Sequence, residues 1–169
     1  MTRVYVPATL AMVQRLVADD EVDAVGRTAF AVTPALREAY TAGDDEELAE
    51  VAMAEAARAS LRLLADEKPG EHPAFTSRRV VIAADVGDVK PRPDLDDAVV
   101  KLPGAIPMSA VASVHIDLQE AETDIARARE VIDQADLGDE EAEFVLGDAE
   151  DHELAWYAAQ ELPFLLELL

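Results

Sequence analysis

Hydrophobic positions follow two different periods along this chain, and the clearest switch between them falls within residues 111–135. Ala112, Val114 and Ile116 alternate with Ser113, His115 and Asp117, the period of two that marks a strand with one apolar face. From Leu118 onward the apolar residues are Leu118, Ala121, Ile125, Ala128, Ile132 and Ala135, spaced by three and four. That spacing winds one apolar stripe along a helix. Asp117 stands where it can cap the helix, and Glu120 where a capping-box acid reaches back to the cap. Three of the stripe's members are alanines, so its packing partner can approach closely. A strand that hands over directly to a helix folds that helix back over the sheet's apolar face. The pattern therefore predicts a sheet built around residues 111–117.

Shorter patterns fill in the rest. TRVYV at 2–6 reads as a strand with Val4 and Val6 on one side and Tyr5 on the other, broken by Pro7. Thr9 caps a helix from Leu10 to about Val17, and Thr28 to Val32 is a second strand. Thr33-Pro34 opens a short helix to Tyr40. Asp44 with Glu47 forms a capping box for a long alanine-rich helix to about Ala65, stopped by Pro69-Gly70 before a loop, GEHPAFTS. The run VVIAA within Arg79 to Asp85 has the look of a central strand covered on both faces. GDVKPRPDLDD is a surface loop, and Ala98 to Leu102 is another strand. Gly138 and Gly147 bracket a short helical turn or strand around Phe144. Asp148 and Asp151 cap a last helix from about Ala149 to Glu161, limited by Pro163. Phe164, Leu165 and Leu168 of the terminal LPFLLELL are too apolar to stay in water, and dock into the core or a partner. Together these elements predict one α+β domain over residues 1–169, with a mixed sheet of about four or five strands and helices packed mainly on one face.

Charge alters this picture more than composition does. Aspartate and glutamate number 36 against 14 lysines and arginines, a formal net charge of −22. Nucleic acid and anionic membrane surfaces repel such a chain, because affinity for a phosphate backbone comes from lysine and arginine. Solubility, a basic protein partner or life in high salt each account for the imbalance. The 169 residues include no cysteine, which excludes disulfides, thiol nucleophiles and thiolate metal sites. No apolar run is long enough to span a membrane and no export signal opens the chain, so a cytoplasmic location is expected.

Candidate chemistry is sparse. Ser113, His115 and Asp117 share a strand face and invite comparison with a catalytic triad. Residues two apart on a strand lie roughly 6–7 Å apart with parallel side chains, however, and known triads draw their members from separate segments. Asp148, Asp151 and His152, with Glu150, form the densest set of hard-metal ligands, without the glycine and spacing of a calcium loop or a second histidine for zinc. Acids in a helix's first turn are in any case expected from the dipole. Asp85, Asp88, Asp94, Asp96 and Asp97 surround a loop at strand ends, where magnesium ligands and catalytic acids occur, but no phosphate-cradling glycine motif accompanies them. No cofactor motif is present. Trp156, the single tryptophan, and Tyr157 could line a pocket or interface, although a lone tryptophan on a C-terminal helix more often anchors the core.

The segments TRVYVPATL, TAFAVTPALREAY and FVLGDAEDHELAWYAAQELPFLLEL resemble a family of small acidic actinobacterial proteins that is a domain of unknown function. The resemblance implies a cytoplasmic bacterial protein and brings no activity or site residue with it. The residues themselves favour a non-enzymatic interaction or regulatory protein, self-associating or bound to another protein, that uses Trp156, Tyr157, Phe164 and Leu165 on its partner. The alternative is a small-molecule or divalent-metal enzyme using the carboxylates of 85–97 with His115 or His152.

Overall fold

The computed structural model describes residues 1–67 and 77–169. Its strands are β1 (Thr2–Ala8), β2 (Glu21–Val22), β3 (Thr28–Phe30), β4 (Val80–Val86), β5 (Lys90–Pro91), β6 (Val99–Lys101), β7 (Ile106–Pro107), β8 (Val111–Ile116) and β9 (Ala155–Tyr157). Its helices are α1 (Leu10–Asp19), α2 (Pro34–Ala39), α3 (Asp45–Asp66), α4 (Glu122–Asp136), α5 (Glu140–Glu150) and α6 (Leu162–Leu168). The expected stop at Pro69-Gly70 and the loop GEHPAFTS fall outside the described residues, Ser77 excepted.

Side-chain caps start four of the helices. Thr9 Oγ1 accepts the Met12 N–H at 3.3 Å, Thr33 Oγ1 that of Leu36 at 3.1 Å, and Asp44 that of Glu47 at 2.9 Å. Asp139 takes the Ala142 N–H at 3.0 Å and opens α5, which runs on through Gly147. The segment around Phe144 is thus the middle of a full helix. The helix expected over 149–161 does not form. α5 ends at Glu150, and Trp156 lies on strand β9 instead.

Seven strands form one antiparallel sheet in the order β5-β6-β3-β1-β4-β8-β9, and β2 pairs with β7 separately. The sheet is antiparallel rather than mixed, and four or five strands was an underestimate, because β5 and β9 are two and three residues long and too short to display a period. β1 and β4 are central, while β8 is next to the edge rather than at the middle of the sheet. Pro7 does not break β1 but pairs with Val81. Its fixed φ suits extended backbone, and β3 meets β1 only at Tyr5↔Phe30, so the second ladder has no bond to lose at Pro7.

Helices cover both faces of the sheet, not mainly one. Val4, Val6, Ile82, Val114 and Ile116 pack on α1 and on Leu162 of α6. Phe30, Val81 and Val99 pack on Leu36 of α2 and on Leu48, Ala52 and Ala56 of α3. The VVIAA run of β4 feeds both layers, as an apolar run without alternation must. Ser60, fully buried on α3, donates to the Ala8 carbonyl at 2.7 Å and accepts the Val80 N–H at 2.9 Å, pinning the helix to β1 and β4.

The expectation that α4 folds back on the sheet fails. Ile125, Ala128, Ile132 and Ala135 pack instead on Leu61 and Leu64 of α3 and on Ala142, Leu146 and Ala149 of α5, an outer layer of close alanine contacts. The apolar face of β8 is already occupied by the α1 layer, and its other face carries Ser113 and His115, so the stripe finds its partner on α3. Asp117 is not the helix cap either. A 3-10 turn at Gln119–Ala121 intervenes before α4, and neither turn nor helix has a side-chain cap.

Candidate functional site

A shift of register in β8 decides what its polar face presents. Ala83 pairs with Ser113 but Ala84 pairs with Val111, so Ala112 is a bulge. Val111 joins Val114 and Ile116 in the core, Ala112 is exposed, and Ser113 and His115 turn toward α3. Two cross-strand rows then lie on this face. Tyr5, Ala83 and Ser113 form one, and Val81, His115 and Trp156 the other.

Ala83 is too small to fill the space between Tyr5 and Ser113, and α3 presents Ala49, Ala54 and Ala57 above it. The gap is a cleft of about 980 Å³ between the sheet, α3 and the segment joining α5 to β9. On its floor Ser113 Oγ and His115 Nε2 share a hydrogen bond of 2.9 Å. Backbone spacing alone argues against this pairing. The imidazole is long enough to span two residues of strand, and it does. Burial, with a smaller push from the Arg3 guanidinium, lowers the His115 pKa from its usual value of 6.5. The ring is therefore neutral at pH 7.

Asp117 cannot complete a triad, because both its oxygens are engaged by Arg79. Arg79 Nε and the Arg79 backbone N–H donate to Oδ2 at 2.8 and 2.7 Å, and its terminal nitrogen donates to Oδ1 at 2.8 Å and to the His152 carbonyl at 2.9 Å. The other arginines of the cleft are engaged too. Arg3 holds Asp85 by two bonds of 2.7 and 3.1 Å, which lowers the Asp85 pKa. Arg58 reaches Asp136 and Glu143, each at 3.1 Å, and Glu150 at 3.5 Å. Glu50, Glu55 and Glu153 also line the cleft, and take no ion pair among the described residues. Glu55 has a raised pKa, through burial first and then the charge of Asp96, against the opposing pull of Arg62 and Arg58.

The sequence-predicted candidates are scattered by comparison. Asp148 and Asp151 lie with Phe144 along a separate groove on α5, whereas His152 lines the cleft and binds Asp124 of α4 at 2.8 Å. Among the described residues no group of three or more histidine and acidic side chains is placed to hold a metal ion. Of the 85–97 carboxylates, Asp94 pairs with Arg92 and Asp96 accepts the Asp97 N–H, while Asp88 sits in a turn at φ 58°. None of the five lines the cleft; Asp85 is tied to it through Arg3, and the charge of Asp96 acts on Glu55. Trp156 is no core anchor. It is 60 % exposed on the cleft rim, with Tyr157 on the opposite face of β9 against the core. Leu165 packs on the core as expected, but Phe164 and Leu168 remain exposed. Sequence reasoning missed Arg3, Tyr5, Glu55, Arg58 and Arg79, which carry no motif and meet only through strand pairing and the packing of α3 on the sheet.

A model of DUF6912, a family of unknown function, matches residues 2–166. The chain belongs to this family. All the cleft residues named above lie within the DUF6912 match. Comparison with curated proteins and with solved structures returns no match. No helix among the described residues is long and apolar enough to cross a membrane.

Proposed function

We propose that the protein is a non-enzymatic regulatory protein that takes a small molecule in the cleft between its sheet and α3. The observation that carries this reading is the cleft itself. It is about 980 Å³, within the range of small-molecule sites, and combines apolar walls with a few polar groups on rigid elements. Its floor lies on strands, its roof is a helix of 22 residues, and its rim carries an exposed tryptophan. A ligand seated there touches β1, β4, β8, α3 and the α5–β9 segment together, so occupancy is sensed by both the sheet and the outer helices. The C-terminal leucines, by contrast, are largely used up in the protein's own packing, which weakens the case for them as the functional surface.

The test is amide NMR with a panel of metabolites. Saturable shifts at Ala83, Ser113 and His115, lost when Ala83→Leu fills the floor, are expected. A panel that leaves these amides unmoved removes the reading.

The Ser113–His115 hydrogen bond specifically favours a second reading, acyl transfer with Ser113 as nucleophile and His115 as base. It lacks a third residue to orient the imidazole. Covalent labelling of Ser113 by a fluorophosphonate, absent in His115→Gln, decides in its favour. No labelling of the wild-type chain decides against it.

A further inference from the structure

The charges lining the cleft fall into two groups. Its guanidinium groups are each committed: Arg3 to Asp85, Arg79 to Asp117, and Arg58 to three carboxylates. The carboxylates of Glu50, Glu55 and Glu153 have no ion-pair partner among the described residues. An anion entering the cleft meets only guanidinium groups whose charge a carboxylate already compensates, against the field of a chain with formal charge −22. A cation meets carboxylates that are unspent. It also meets Trp156 at the rim, a side chain whose electron-rich ring attracts cations.

We propose that the cleft selects a small organic cation, an amine or guanidinium compound. Glu55 and Glu50 of α3 and Glu153 at the approach to β9 hold its charge, Trp156 stacks on it, and Ser113 and His115 form the floor beneath it. The inference rests on the cleft being a ligand site and adds the chemical class. Glu55 is the group most relieved by such a ligand, since burial and Asp96 both oppose its charge.

Trp156 is the chain's only tryptophan, so its fluorescence reports on the cleft directly. The titrants are 1,4-diaminobutane, agmatine and choline as cations, succinate as the anion and 1,4-butanediol as the neutral analogue, all at constant ionic strength. At least one cation is expected to produce a saturable change that the diol and succinate do not. In Glu55→Gln its affinity should fall by about five- to tenfold, with the thermal melt no lower than wild type. The Gln variant keeps the shape of the side chain, so a folding defect does not confuse the result. A response to succinate alone, or an equal response to diol and diamine, overturns the cation class and leaves the cleft reading standing. Silence toward all three cations also overturns the class, and the metabolite panel at Ala83, Ser113 and His115 then judges the cleft by itself.

Discussion

Arg79 and Asp117 form a doubly hydrogen-bonded ion pair at side-chain exposures of 4 % and 0 %, joining the residue before β4 to the residue after β8. Their backbones are joined as well, the Asp117 N–H donating to the Arg79 carbonyl at 3.1 Å. Removing one partner leaves the other charge buried without compensation, the costly way to break such a pair. Asp117→Leu is expected to destabilise by about 3–5 kcal/mol, and the double replacement Arg79→Met with Asp117→Leu by clearly less than the sum of the two singles. Urea unfolding of the four proteins provides the comparison. Additive losses would show that the pair is not coupled.

Glu55 presents the opposite situation. Its folded-state pKa is raised, so the native state holds the proton more tightly than the unfolded chain does. Stability from this group is complete below the ordinary value of 4.5 and is lost as pH rises through the folded-state value. Glu55→Gln should therefore stabilise at neutral pH, by less than about 1 kcal/mol given solvent screening, and change little at pH below 4.5. Thermal melts at both ends of the range test the sign. A variant less stable at neutral pH would mean that Glu55 has a favourable partner.

His115 titrates the other way. Its folded pKa lies below 6.5, so the unfolded chain binds the proton more readily. The stability contributed by a neutral His115 is present above that value and is lost as pH falls through the folded-state value. His115→Gln, which keeps a polar side chain beside Ser113, should flatten the stability profile on the acid side of 6.5. Imidazole resonances followed by NMR give the pKa directly. A value at or above 6.5 contradicts the argument.

What the sequence revealed depended on how local each cause was. Thr9, Thr33 and Asp44 were legible as caps because a cap acts on amides only three residues away, and each accepts its expected bond. The strand-to-helix switch near Ile116 was legible for the same reason. Asp117 was misread because it has two possible uses, and the partner that wins it is 38 residues away in sequence. The bulge at Ala112 arises from register against β4 and changes which residues share a face, something no period within β8 can show. The cleft was hidden most deeply. It exists because Ala83 is small between Tyr5 and Ser113 and because α3 lies above them, a product of three separate pairings. Trp156 was placed on a helix because β9 is only three residues long and gains its strand character from His115 and its neighbours across the ladder.

The C-terminal segment separates two kinds of apolar residue that look alike in sequence. Leu162 is fully buried at the start of α6 and packs among the residues that join the sheet to α1. Phe164, two positions on, is 72 % exposed. Leu162→Ala removes buried methyl groups and leaves a cavity, so a loss of about 2–4 kcal/mol is expected. Phe164→Ala removes a larger side chain that is already mostly in water, and its cost should stay within about 0.5 kcal/mol. Chemical denaturation of the two variants tests the contrast, with light scattering to follow mass. If Phe164→Ala proves the more damaging, or dissociates an oligomer, the exposed face of α6 is covered in solution by another chain, and the terminal leucines act in association as well as in the core.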